Sequence, residues 1–434
     1  MNTQIASQQG LLQRLQQRAF AFFQCEVNPL NGLIADKTHE GWPASIAATG
    51  LALACYPVGI ERGFMTRRVA LDRTLAALRF FAAAPQGEQP DATGYRGFYY
   101  HFLGMQDGRR AWQCELSSVD TAFLIAGMLT AAQYFNGDGA DEREVRERAH
   151  MLYERVEWSW LRAPDGTLGH GWRPEKGFIP HCWQGYDEGL LLYMLALGSP
   201  SHALPSAAYA RWCSTYRWKR LYDIEYLYCG PLFTHQLSHV WIDFRGIRDA
   251  YMRGKGIDYF ENSRRATLAQ RCYAIDNPLG FVGYGPNGWG ITASDGPGPA
   301  LVEIDGVQRR FFDYEGRGAP CGIDDGTLAP WAVVASLPFA PEIVLPAIEY
   351  CVNHLQLHDQ HRYGFKATYN PTFGGATQAG WVSPYHFGLN LGPIVLMIEN
   401  QRSGMVWELM RGCAPLRAGL RRAGFSDGWL GDAA

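Results

Sequence analysis

The sequence contains no CxxC pair, although it has ten cysteines, at 25, 55, 114, 182, 213, 229, 272, 321, 351 and 413. Without short, even spacings they offer no thiol metal cluster, and they read as mostly reduced, buried thiols. There is no basic block or stripe either: Lys and Arg are scattered and the formal net charge is -3, which excludes a nucleic-acid partner on charge grounds. No apolar run approaches the ~20 residues needed to cross a bilayer, so no membrane role is expected. The opening MNTQIASQQGLLQRLQQ lacks a basic stretch followed by an apolar one. The expectation is a chain carrying no export signal as given, cytoplasmic as written and periplasmic only if a leader has been removed. Also absent are a βαβ alternation, a low-complexity linker and a sequence period, which argues against doubly wound, multidomain and solenoid architectures. The glycine segment GYGPNGWG has the wrong spacing for phosphate binding.

What is present in quantity is aromatic: fourteen Trp and twenty-two Tyr, many beside Gly, His or acids rather than inside apolar runs. The most informative stretch is His181 to Pro200, HCWQGYDEGLLLYMLALGSP. From Gly189 to Leu197 it has no polar face, and a helix that is apolar all round must be surrounded by protein. Its lead-in gathers His181, Trp183, Tyr186, Asp187 and Glu188. An acid in a first helical turn is ordinarily explained by the free N–H groups there. The neighbouring aromatics and His are not, and together they resemble the floor of a sugar-binding cleft.

Taken in order, the chain alternates strongly apolar helices with amphipathic ones. Residues 9–26 are amphipathic, Ser45 caps an apolar helix, and 61–84 carry an exposed face. VDTAFLIAGMLTAAQYF is apolar and DEREVRERAHMLYERVEWSW amphipathic. The pattern continues with 187–198, a surface helix near 205–216, SHVWIDFRGIRDAYMRGKG, YFENSRRATLAQRCYAI, DDGTLAPWAVVASLPF, PEIVLPAIEYCVNHL and GLNLGPIVLMIENQRSGMVWELMR. A dozen such segments fit two concentric rings of helices, an all-α (α/α)6 barrel in one domain over 1–434. Short strands are expected in the loops, among them the Gly/Pro-rich stretch around 281–315.

Loops holding acids and aromatics precede the apolar helices: Trp112 and Glu115 before Asp120, Trp183 and Tyr186 before Asp187 and Glu188, Asp324 and Asp325 before Gly326, with His239, Trp241 and Asp243 at a fourth. If the inner helices run parallel, their N-termini converge and collect carboxylates around one cleft. Glycoside hydrolysis needs such a pair, one acid kept protonated for the leaving oxygen and one carboxylate for water or for attack. Glu188, Glu115, Asp120 and Asp325 are the catalytic candidates. Each also has a plain alternative: first-turn charge for Asp187 and Glu188, a capping box with Ser117 for Asp120, a turn and N-cap for Asp325. His235 and His239 form an i, i+4 pair, but no third ligand is in sequence reach and no metal is expected.

The runs ELSSVDTAFLIAGMLTAAQYF, GWRPEKGFIPHCWQGYDEGLLLYMLALGSPSH, PLFTHQLSHVWIDFRGIRDAYMR, GWGITASDGPG and GPIVLMIENQRSGMVWELMR resemble the bacterial glucoamylase-like domain. Its characterised members are endo-β-1,2-glucanases of glycoside hydrolase family 144, and the transglycosylase domain of cyclic β-1,2-glucan synthases is a relative. The likeness covers about residues 10–412. It implies an (α/α)6 barrel that hydrolyses β-1,2-glucan or sophoro-oligosaccharides by carboxylate acid/base chemistry, endo-acting and inverting, without cofactor. By the same likeness the acid of the WxGYxE element falls on Glu188, and those of ExSxxDT on Glu115 and Asp120. Here WQGYDE stands for WDGYNE, so Gln184 and Asp187 depart from the pattern. Stacking on glucose rings is expected of Trp183, Tyr186, Trp241 and Trp381. Hydroxyl contacts are expected of His181, Arg173, Asp187, His239 and Asp243. The alternatives are β-1,2-glucan transglycosylation, hydrolysis of another β-glucan or oligosaccharide, and a glycan-binding barrel without turnover.

Overall fold

The computed structural model describes residues 2–431. Its helices, in chain order, are α1 (Asn2–Cys25), α2 (Ile46–Glu61), α3 (Arg67–Ala83), α4 (Ser118–Tyr134), α5 (Ala140–Glu154), α6 (Gly189–Gly198) and α7 (Ser206–Cys213). They continue with α8 (Ala250–Lys255), α9 (Tyr259–Asp276), α10 (Pro330–Ala335), α11 (Pro341–Glu349), α12 (Gly388–Arg402), α13 (Met405–Arg411) and α14 (Ala414–Arg422). No described helix is long and apolar enough to cross a membrane.

The apolar helices form the inside. Every residue of α6 is buried, and α2 and α4 bury nearly all of theirs. α2 lies between α4 and α12, α4 also meets α6, and α10 packs on α12. Of two consecutive 3-10 turns, Leu232–His235 and Leu237–Val240, the second touches both α6 and α12, and the first packs on α9. Amphipathic helices back this inner set: α1 on α12, α5 on α3 and α4, α14 on α6, α11 on α10. Contact between α2 and α4 is backbone to backbone. A Cβ on Gly127 would lie 1.9 Å from the carbonyl oxygen of Gly50, so only glycine permits that spacing.

One expectation is corrected. The segment SHVWIDFRGIRDAYMRGKG does not make a long helix; it gives the second 3-10 turn and the short α8. Its polar side chains are bonded to other elements: Ser238 Oγ accepts from Leu191 N at 3.1 Å, and His239 Nε2 lies 2.9 Å from Ser263 Oγ. Tertiary partners for buried polar groups thus override the helical pattern. Short strands do lie in the loops, within 281–315 and beyond it. That region holds the hairpin Ala300–Ile304/Val307–Phe311. A five-stranded antiparallel sheet of short strands, Gly94–Tyr95, Phe98–Tyr100, Leu116–Ser117, Gly171–Arg173 and Gly177–Phe178, forms where Gly- and Tyr-rich loops were expected. Its pairing of Tyr100 with Leu116 places His101 beside Glu115.

Candidate active site

The inner segments deliver residues from their N-terminal ends to one cavity of about 810 Å³. Ser45 comes from the start of α2, Ser117 and Asp120 from α4, Glu188 from α6, Phe233 and Leu237 from the 3-10 turns, Trp331 from α10, and Phe387 and Asn390 from α12. Glu115, Arg173, Asp36, His101, Trp42, Trp112, Asp295 and Tyr314 also line the wall. The three acids Glu188, Glu115 and Asp120, far apart in the chain, therefore face the same space.

Glu188 occupies the N-cap position of α6 without capping it. The capping is done by neighbours: Asp187 Oδ1 accepts from Gly189 N at 2.9 Å, and Ser238 Oγ accepts from Leu191 N at 3.1 Å. The Glu188 carboxyl is left with no side-chain donor among the described residues. Burial, with the charge of Asp120 adding to it, raises its pKa to about 7. Burial also pushes Asp187 well above its ordinary value, with the charge of Glu188 adding to the shift.

On the other wall, Ser117 caps α4. Its Oγ accepts from Asp120 N at 3.2 Å and donates to Asp120 Oδ2 at 2.5 Å. The capping alternative foreseen for Asp120 is thus real, yet the residue still lines the cavity. Glu115 Oε1 lies 2.9 Å from His101 Nδ1 and Oε2 lies 3.4 Å from Arg173 Nη2. Burial opposes ionisation of Glu115, but His101 and Arg173 outweigh it and hold the pKa at about 2. His101 Nε2 is 3.7 Å from Asp120 Oδ2. Asp36, which accepts from Trp42 Nε1 at 3.1 Å, is raised by burial to about 6.

Aromatic rings pave the rest. Trp183 stacks on His170 at 4.1 Å and donates its indole N–H to Ser118 Oγ at 3.0 Å. Trp42 and Trp112 meet edge to face at 4.6 Å, with Lys37 over Trp42 at 3.9 Å. Trp112 is 56% exposed.

Other expected site residues lie outside this wall, each for a visible reason. Asp325 is buried and its carboxylate is taken by the fully buried Arg317, with Nε to Oδ1 at 2.7 Å and Nη2 to Oδ2 at 2.8 Å. Tyr186 is buried behind α6, stacked on Tyr259 at 5.7 Å. His239 is a core residue bonded to Ser263 Oγ at 2.9 Å. Trp241 stacks on Phe123 at 5.6 Å, and Phe123 rather than Trp241 reaches the cavity. Asp243 is paired with Arg245 and Arg411. His181 is exposed, its ring 6.2 Å from that of His170, which does line the cavity. Trp381 belongs to a short strand paired with Asn370 and is half-buried there. Asp187 sits behind Glu188 as a helix-start acceptor, and Gln184 is exposed, bonded to Asp165 at 3.4 Å.

Sequence reasoning missed Asp36, Trp42 and His101. The first two obey the rule applied elsewhere, since GWP and its upstream acid precede the apolar α2. His101 reaches the site through strand register, which has no local signal. Among the described residues no three His, Cys, Asp or Glu side chains converge to hold a metal, and the cysteines are free thiols.

The family described as "Putative glucoamylase" matches residues 180–414. A curated relative, the exo β-1,2-glucooligosaccharide sophorohydrolase (non-reducing end) of Parabacteroides distasonis, is 29% identical over 95% of this chain. The chain spans 57% of the length of that relative. A solved structure from Bacteroides uniformis with the same family description is 29% identical, covering 98% of each chain at a TM-score of 0.85. The endo-β-1,2-glucanase of Chitinophaga pinensis, solved with sophorotriose and glucose, is 26% identical, covering 98% of this chain and 99% of its own at a TM-score of 0.81. With more than half its length inside the family match, this chain belongs to the glucoamylase-like family.

Proposed function

We propose that this chain is a glycoside hydrolase acting on β-1,2-linked glucan or sophoro-oligosaccharides, within one domain whose closed inner ring is that of an (α/α)6 barrel. The observation that carries the reading is the meeting of Glu188 with Asp120 and Glu115 in a single aromatic-walled cavity. Relatives named for β-1,2-glucan chemistry support the substrate class. Glu188, kept protonated near neutrality by burial, is the general acid: its proton goes to the glycosidic oxygen, directly or through a substrate hydroxyl, as the bond to the anomeric carbon breaks. Water adds to that carbon and gives its proton to the facing carboxylate. Asp120 suits this role better than Glu115, which is tied to both His101 and Arg173 and whose low pKa makes it a weak base. Trp42, Trp112 and Trp183 provide ring-stacking surfaces, and Arg173 a donor to hydroxyls. Direct attack of water on the anomeric carbon gives inversion, and endo action is supported by the likeness to the Chitinophaga pinensis protein, named an endo-β-1,2-glucanase.

The test is incubation with linear β-1,2-glucan, with chromatography of the products and reducing-end counts. A ladder of fragments with one new reducing end per cut fits endo hydrolysis, and release of a disaccharide alone fits exo action. Transfer without new reducing ends means transglycosylation, and binding without product means a glycan-binding barrel. The variant Glu188→Gln, folded by circular dichroism, is expected to lose about 10²- to 10⁴-fold in rate; near wild-type turnover would remove Glu188 from the mechanism.

A further inference from the structure

His101 stands between Glu115 and Asp120 and belongs to no candidate set drawn from the sequence. Its backbone is anchored on both sides, donating to the carbonyl of Glu115 at 3.0 Å and accepting from Ile46 N at the start of α2 at 3.2 Å. Its ring lies flat on Phe102, 3.9 Å away and tilted by only 12°. The two ring nitrogens then point at different acids: Nδ1 is 2.9 Å from Glu115 Oε1 and Nε2 is 3.7 Å from Asp120 Oδ2.

A neutral imidazole has one N–H and would turn a lone pair toward one of these carboxylates. Only the doubly protonated ring serves both. The surroundings agree. Glu115 faces the ring from the strand side, Asp120 from α4, and Asp36 from the loop before α2, while Arg173 approaches the far oxygen of Glu115. Burial alone would discharge the ring, but these acids outweigh it and raise its pKa to about 9.

The arrangement has a consequence for Asp120. Ser117 and His101 both address Oδ2, so Oδ1 is left without a side-chain partner among the described residues, in a side chain that lines the cavity. We propose that His101 is a positioning residue, a charged strut that ties Glu115 to Asp120 and presents the unshared oxygen of Asp120 to the incoming water. This rests on the hydrolase reading above; Glu115 is then an anchor for the strut rather than the base.

The experiment has two arms. In the first, wild type and His101→Gln are compared on linear β-1,2-glucan across pH. Gln can reach one acid but carries no charge, so kcat is expected to fall about 100-fold, with KM near wild type and the acidic limb of the kcat profile moved upward. Unchanged kcat and profile, or a loss confined to KM, would overturn the proposal. In the second, the ring nitrogens of His101 are followed by NMR without substrate in wild type and in Glu115→Gln. The ring should stay doubly protonated at neutral pH in wild type and titrate at lower pH in the variant. Titration in the ordinary histidine range in wild type would overturn the proposal even if His101→Gln failed to fold. Should wild type leave β-1,2-glucan intact, the hydrolase reading falls while the titration still decides the state of His101.

Discussion

Glu188 and Asp187 are adjacent acids with opposite fates, and the difference is which of them the helix start uses. Asp187 accepts the Gly189 N–H, so Glu188 is free to face the cavity. Because the Glu188 pKa is raised to about 7, its protonated form is present below that value and lost above it. The rate profile should therefore fall on the alkaline side near neutrality, well above the ordinary carboxylate range, and a pH series of kcat/KM on β-1,2-glucan measures it. Burial pushes the Asp187 carboxyl toward its neutral form, and an amide offers the same carbonyl oxygen to Gly189. Asp187→Asn is thus expected to keep its activity within a few-fold, so the departure WQGYDE is a quiet one; loss of activity comparable to Glu188→Gln would show that Asp187 works as an acid.

At the scale of elements, the apolar helices were legible and the pieces between them were not. α6 shows why the first part was easy: ten residues with no polar face have only one place to go. Small residues fix how close the inner helices come. Gly127→Ala would put a methyl 1.9 Å from the Gly50 carbonyl oxygen, and parting α2 from α4 should cost about 1–3 kcal/mol or more. Chemical denaturation reads that loss, and because α4 carries Asp120, the variant should also lose rate on glucan. The segment 232–240 was harder to read because His235, Gln236, Ser238 and His239 are all buried. Their bonds to distant groups decide the backbone there, and no local pattern records those bonds.

At the scale of the whole molecule, the inner segments share a direction, and that alone turns separate loops into one cavity. The fully buried pair Arg317–Asp325 also serves the cavity from behind. Phe312 N donates to Asp325 Oδ2 at 3.0 Å, and Arg317 Nη2 reaches the carbonyls of Phe312 and Asp313 at 3.0 and 3.1 Å. The clamp thereby holds the turn that brings Asp313 and Tyr314 to the cavity rim. Asp325→Asn leaves a buried guanidinium without its counter-charge and should cost about 3–5 kcal/mol, measured by denaturant unfolding. Its KM on glucan should rise through the displaced turn, whereas a catalytic Asp325 would show a collapse of kcat in a folded protein.

By itself the sequence determined the alternation of buried and half-buried helices, the all-apolar α6, and the carriage of Glu188, Asp120 and Glu115 at or just before the starts of such helices. These follow from local patterning, which a helix expresses wherever it lies. Only the tertiary structure decided which acids face the cavity. Asp325, Asp243 and His239 also stand in loops holding acids, aromatics or His, yet each is taken by a partner that keeps it off the cavity wall: Arg317 for Asp325, Arg245 and Arg411 for Asp243, Ser263 for His239. His101 entered for the converse reason: a two-residue strand register set it between Glu115 and Asp120, and pairing between strands is a property of the folded chain.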